Sequence, residues 1–176
     1  MKKLTTILLI CITTFAFSQE DNKVDKREKS DNNYNEIKIN ALFAVAGALE
    51  IIYERTLSET SAFGISAAIP FNERNVNDLE YYISPYYRVY FGKKYAKGFF
   101  LEGFGMLNST RDNFLFFNEE EFTTDFALGI GVGGKWVTKS GFVGELNLGF
   151  GRNLFNSENS NYNVVGKLAV TVGYRF

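Results

Sequence analysis

The sequence predicts an all-β fold, an eight-stranded antiparallel up-and-down transmembrane β-barrel, from three observations. About eight stretches from Glu36 onward alternate apolar and polar side chains with a period of two, the mark of a strand whose faces meet different surroundings. The apolar faces are almost free of charge, whereas the polar faces are mostly Gly, Ala, Ser and Thr with sparse ionised groups. The chain has 16 glycines and 18 phenylalanines but only two prolines, a mixture suited to many strands and tight turns.

The first expected strand, 36–45, sets Ile37, Ile39, Ala41, Phe43 and Val45 against Lys38 and Asn40, with Ala46 and Gly47 as its turn. The second, 48–57, sets Leu49, Ile51, Tyr53 and Leu57 against Glu50 and Glu54. Arg55 breaks the apolar face near the strand end, where its head can snorkel to water. The third, 61–71, sets Phe63, Ile65, Ala67, Ile69 and Phe71 against Ala62, Gly64, Ser66 and Ala68. A polar loop, 72–78, leads to the fourth, 79–91, where Glu80, Tyr82, Ser84, Tyr86, Arg88 and Tyr90 share the polar face. Pro85 weakens one ladder bond there.

A basic turn, 92–97, precedes the fifth strand, 98–107, the least clear. Glu102 turns Phe99, Leu101 and Leu107 outward and leaves Phe100, Phe104 and Met106 inside. A loop with the acidic run Glu119-Glu120-Glu121 fills 108–121. The sixth strand, 122–137, sets Phe126, Leu128, Ile130, Val132 and Trp136 against Asp125, Gly129, Gly131, Gly133 and Lys135. The seventh, 141–152, sets Phe142, Leu146, Leu148 and Phe150 against Val143, Glu145, Asn147 and Gly149. A polar loop, 153–163, leads to the last, 164–176, with Leu168, Val170, Val172, Tyr174 and Phe176 on one face and Lys167, Thr171 and Arg175 on the other.

That last strand stops on an aromatic residue. Its Gly173-Tyr174-Arg175-Phe176 ending resembles the C-terminal signal by which bacterial outer-membrane β-barrel proteins are recognised for insertion, which makes Tyr174 and Phe176 the candidate insertion signal. The resemblance implies the barrel-assembly machinery as a partner. A second resemblance rests on Ile83-Ser84-Pro85-Tyr86-Tyr87-Arg88-Val89-Tyr90-Phe91-Gly92 followed by Lys97-Gly98-Phe99-Phe100-Leu101. With Asn40 and Tyr53-Glu54, this run is similar to a family of small eight-stranded bacterial outer-membrane barrels of uncharacterised function. It implies fold and location and carries no known active site.

The ends fit that address. Residues 1–18 have a basic start, Lys2-Lys3, an apolar stretch and small residues before Gln19, and read as a cleaved secretory signal. The apolar run is shorter than the ~20 residues a spanning helix needs. Cys11 follows Ile10, where a lipoprotein signal requires a small residue, so the mature chain is expected to lack cysteine. Residues 19–35 are charged and aperiodic, as in a disordered periplasmic leader. With a periplasmic N-terminus, the connections 58–60, 92–97 and 138–140 fall inside and the three long ones outside, the usual barrel pattern. Aromatics then gather in two girdles. Phe63, Phe91, Phe99, Trp136, Phe142, Tyr174 and Phe176 lie near one end, and Phe43, Phe71, Tyr81, Phe122 and Phe150 near the other.

An eight-stranded barrel is just wide enough to fill with its own side chains. The expected lumen groups are Lys38, Glu50, Glu54, Glu80, Arg88, Glu102, Asp125, Lys135, Glu145, Lys167 and Arg175. Their signs nearly balance, as ion pairing across a dry interior requires.

The chain contains no histidine. Ser-His-Asp triads and His-based proton transfer are thereby excluded. Without His or mature Cys, no zinc or redox-metal site is expected, and no cofactor. The G-x-G-x-x-G match at 129–134 lies inside a strand, with glycines on the lumen face, so it makes room rather than binds a dinucleotide. A net charge of −1 suggests no nucleic-acid partner. The expected protein is a non-enzymatic monomer surrounded by outer-membrane lipid and lipopolysaccharide, serving envelope integrity or surface binding through its external loops. Two alternatives remain: a histidine-free lipid-modifying enzyme using a carboxylate pair such as Asp125 and Glu145, or a soluble secreted lipid-binding barrel.

Overall fold

The computed structural model describes residues 34–71, 79–92, 95–112, 121–155 and 164–176. The signal segment, nearly all of the leader, Glu119, Glu120 and most of the long connections lie outside the described residues.

Eight strands form one closed antiparallel barrel in sequence order. They are β1 (Asn35–Asn40), β2 (Ala48–Thr56), β3 (Ser61–Pro70), β4 (Leu79–Phe91), β5 (Gly98–Asp112), β6 (Glu121–Val137), β7 (Phe142–Asn153) and β8 (Val164–Arg175). Each pairs with its neighbour in the chain, and β8 returns to β1 through Ile37↔Tyr174 and Ile39↔Val172. Asn35 and Phe176 exchange both backbone bonds at 2.9 Å each, so the final residue is part of the closure. The up-and-down class expected from the period of two is the fold observed.

The alternation also sets the two surfaces. In β2 every even position from Ala48 to Thr56 is buried and every odd one exposed. The outward set is mostly apolar, and includes Ile51, Ile65, Leu101, Ile130, Leu148 and Val172, with Arg55 and Arg152 as charged exceptions near strand ends. The inward set carries the charges. A closed barrel pairs its strand backbones internally, so the alternation leaves one face outside and the other in the lumen, and here the apolar face is the outer one. Among the aromatics, Phe91 lies across from Phe99 with centroids 6.0 Å apart, and Phe142 meets Tyr174 edge-on at 5.8 Å.

Two departures from the sequence expectation stand out. The first strand does not continue to Val45. It stops at Asn40, and Ala41–Ala46 forms a short helix, α1. Asn40 caps it by accepting from Leu42 N–H (3.1 Å) and Phe43 N–H (3.4 Å). Gly47 ends it in the left-handed region at φ 101°, which a glycine adopts without strain. Phe43 therefore leaves the outer girdle and packs against Tyr82, 6.1 Å between centroids. The second departure is length. β5 has 15 residues and β6 has 17, against the ~9–11 that span a bilayer. Their register continues to Asp112↔Glu121, so much of the loop expected at 108–121 is a paired ribbon.

The interior is layered. At the end where β1 begins and β8 ends, Ala62, Tyr90, Ala96 and Phe100 form one apolar cluster. Towards α1, Ile52, Ala68, Tyr82, Tyr86, Phe104, Met106 and Ala127 form another. Glycines make this filling possible. A Cβ on Gly129 would overlap the Phe104 ring, one on Gly133 the Phe100 ring, and one on Gly64 the Tyr86 ring. Gly129 and Gly133 thus face large aromatics and Gly131 faces Asn147, as lumen-side placement implied, whereas Gly134 has the opposite parity and lies beside the outward Trp136.

Candidate functional site

Between the two apolar layers lies a network of ionised side chains. Glu54 on β2 is its hub. Its Oε2 lies 2.7 Å from Lys38 Nζ and 2.7 Å from Arg88 Nη1, and its Oε1 pairs with Lys135 Nζ. Two phenols complete it: Tyr86 OH donates to Oε2 and Tyr90 OH to Oε1, each at 2.8 Å. Five groups from three other strands, β1, β4 and β6, thus converge on one carboxylate. The period of two puts each on the inner face, and the closure of the sheet brings the faces together.

Arg88 spreads the network sideways. Its Nε meets Glu102 at 2.6 Å, and its Nη2 meets Glu145 at 2.7 Å. The guanidinium lies 4.3 Å from the centroid of Tyr86 and 4.2 Å from that of Phe100. A planar, weakly hydrated cation suits such a sandwich better than an ammonium. Lys38 also reaches Glu145 (3.0 Å) and Glu36 (3.3 Å). Glu102 takes Lys167 Nζ at 2.7 Å and the Asn147 amide at 3.0 Å.

At the end where β1 begins and β8 ends, Glu36 joins Lys135 (3.0 Å) to Arg175 (2.6 Å). Arg175 then donates to the carbonyls of Ala96 (2.9 Å) and Tyr95 (3.3 Å). These belong to the β4–β5 turn, which tucks inward. Ala96 is fully buried, and its N–H donates to Glu59 C=O at 2.7 Å. Tyr34 stacks edge-on against Tyr95 at 5.5 Å. The mouth at that end is therefore lined by this turn and by Arg175.

Four acids, Glu36, Glu54, Glu102 and Glu145, meet five bases, Lys38, Arg88, Lys135, Lys167 and Arg175. Glu50, buried just beyond, receives the Asn40 amide at 2.7 Å and brings the signs level. Such a set is stable only when each charge is both paired and hydrogen-bonded, since removing one partner leaves a charge without compensation in a dry interior.

Of the lumen residues expected from the sequence, Lys38, Glu54, Arg88, Glu102, Lys135, Glu145, Lys167 and Arg175 come together in this network, with Glu50 at its edge. Asp125 and Glu80 do not join it. Asp125 faces inward, but its Oδ1 accepts backbone N–H groups of Phe126 (2.7 Å) and Phe155 (3.1 Å) near the α1 end. Glu80 is half-buried near the start of β4. Asp125 stands ten residues before Lys135 on β6, about 33 Å along a strand, and Lys135 is the cross-strand neighbour of Glu145. The carboxylate pair weighed for catalysis is thus not brought together, because a shared face says nothing about height in the barrel. Glu36 was missed. It shares parity with Lys38, but it follows directly on the charged leader and was read as the strand's first residue. Tyr86, Tyr90 and Asn147 were placed inside without a role in the network.

Two solved structures resemble this fold. The N-terminal β-barrel domain of Pseudomonas aeruginosa OprF superposes with a TM-score of 0.61 at 13% identity, covering 84% of this chain and 100% of that one. Neisserial surface protein A (NspA) gives a TM-score of 0.48 at 14% identity, covering 81% of this chain and 94% of that one. The sequence matches no protein-family model and no curated relative. At such identities the likeness is one of fold alone, that of a closed β-barrel.

Proposed function

We propose that the chain is a non-enzymatic outer-membrane barrel of the bacterial envelope, its interior plugged by ion pairs, serving envelope integrity or surface binding through its external connections. The observation that carries this is Glu54. Its carboxylate is shared by Arg88, Lys38, Lys135, Tyr86 and Tyr90, so the middle of the barrel is occupied by its own side chains. Every charge there is committed to a partner, which leaves no poised acid, base or nucleophile.

The direction of the two faces supports the membrane address. A soluble ligand-binding barrel turns its apolar face inward and its charged face to water. Here Arg88, Lys38, Lys135 and Glu54 are buried, and Ile51, Ile130, Leu148 and Val172 are exposed. Water is the wrong solvent for that surface, and acyl chains are the right one. The exposed pair Phe142 and Tyr174 and the terminal Phe176 suit a membrane–water boundary. On this reading Tyr174 and Phe176 also serve the assembly machinery; Phe176 lies on the seam with β1.

The test is fractionation joined to conductance. The native protein is expected in the outer-membrane fraction, resistant to alkaline wash, and the purified protein closed in a planar bilayer. Recovery from the soluble periplasm defeats the membrane reading. A steady open conductance defeats the plug. A change in lipid acylation on deletion, copied by Glu145→Gln, defeats the non-enzymatic reading.

A further inference from the structure

β1 ends early and its neighbours do not. β8 begins at Val164, yet its register with β1 covers only Thr171 to Arg175. Because Asn35 and Phe176 form a mutually bonded pair, the backbone groups of alternate residues back along β8 turn to the same side. Those residues are Val170, Leu168, Gly166 and Val164. Asn40 serves the nearest two with its side chain, accepting from Val170 N–H (3.2 Å) and donating to Leu168 C=O (3.3 Å). Beyond them the partner strand has become α1. Among the described residues, no backbone bond reaches Gly166 or Val164 from that side.

A cavity of about 240 Å³ opens at this gap. Its wall includes Val164, Val165, Gly166 and Lys167 in succession. Two of these face outward and two inward, so the edge of β8, not one face, borders the space. Phe43 of α1 and Met106 of the interior stand opposite. The cavity therefore connects the outer surface of the barrel with its upper interior. Gly166 lies on the outward face, and a Cβ there would meet nothing within 4 Å, so no side chain covers the outer side of the edge at this position. Lys167, at the inner end, is held by Glu102 at 2.7 Å.

We infer that the gap is a lateral portal and that one acyl chain of a surrounding membrane lipid lies in the cavity. This rests on the membrane reading above. A bare strand edge in hydrocarbon is costly, and the lining is mostly apolar with Asn108, Asn153 and Lys167 as its polar part, so a hydrocarbon tail covers the apolar wall while its ester at the rim accepts from the edge. The chemistry fits that direction. Phe43 and Leu79 make the lining beside α1 apolar, and the N–H groups of Gly166 and Val164, which no backbone group among the described residues reaches from that side, meet the ester oxygens. Gly166 is the third residue of β8, which sets the rim near the lipid ester level rather than the bilayer centre.

The experiment places the full chain in vesicles containing a phospholipid with a diazirine at the end of one acyl chain, followed by illumination and peptide mapping. Adducts on outward residues such as Leu148 and Leu168 report insertion alone. Adducts on Met106 or Tyr82 report the portal. The expected result is both, with interior labelling about tenfold lower in Val165→Trp and unchanged in Leu148→Trp. Gly166→Phe, built into open space, is the second blocking variant, and compact heat-sensitive gel migration certifies that each variant has folded. Outward adducts without interior ones overturn the portal and leave the membrane reading standing. No adduct anywhere overturns both. Interior labelling that both blocking variants leave intact, or that only a diazirine-bearing free fatty acid achieves, overturns the lipid assignment.

Discussion

Asn40 accepts a hydrogen bond from Val170 N–H at 3.2 Å across the seam of the barrel, from a residue 130 positions further along the chain. The same amide oxygen caps α1, and the same amide nitrogen holds Glu50 and Leu168 C=O. One side chain thus ends a strand, starts a helix and closes the sheet.

Asn40→Ala is therefore expected to cost about 2–4 kcal/mol, combining a lost N-cap with buried groups left unpaired. Urea unfolding of the protein in vesicles measures it. A loss below ~0.5 kcal/mol refutes the role given to this residue.

Glu54 is the hub, so Glu54→Gln is expected to destabilise by about 3–5 kcal/mol, since Lys38, Lys135 and Arg88 lose a shared counter-charge in a dry interior. Glu50→Gln keeps an acceptor for Asn40 and removes only one peripheral charge. It is expected to cost the smaller amount in the same assay, and the reverse order would falsify the hub.

Gly129 and Gly103 make a matched pair on opposite faces. A Cβ at Gly129 overlaps Phe104, whereas one at Gly103 meets nothing within 4 Å. Gly129→Ala is expected to lose about 1–3 kcal/mol by overpacking, and Gly103→Ala to stay within ~0.5 kcal/mol. Equal effects would contradict the layered interior.

The outward face is tested by charge. Leu148→Arg, midway along β7, is expected to cost about 2–4 kcal/mol, and Phe142→Arg, at the strand's end, about 0–1 kcal/mol. Refolding equilibria in lipid vesicles distinguish them. If the two cost the same, that face does not span a bilayer.

Parity made most of the architecture legible. Lys38, Glu54, Arg88, Lys135 and Glu145 all occupy positions where a period of two turns them inward, and each is buried. Asp125 shows the limit: its parity is right, but its height separates it from the central bases. The sequence Ala41-Leu42-Phe43-Ala44-Val45-Ala46 shows another, since its apolar residues suit an outward strand face as well as a short helix, and only the Asn40 contacts decide. Glu36 was legible by parity and was obscured by the charged leader beside it.

By itself the sequence determined which strand residues face outward and which face inward, because a strand's alternation is local. It likewise determined the strand number and the absence of histidine chemistry. Only the tertiary structure decided who pairs with whom, where β1 gives way to α1, and that a strand edge is left open beside a cavity. Those depend on stagger between strands and on the reach of side chains across the lumen, which bring Lys38 to Glu145 over 107 residues of chain.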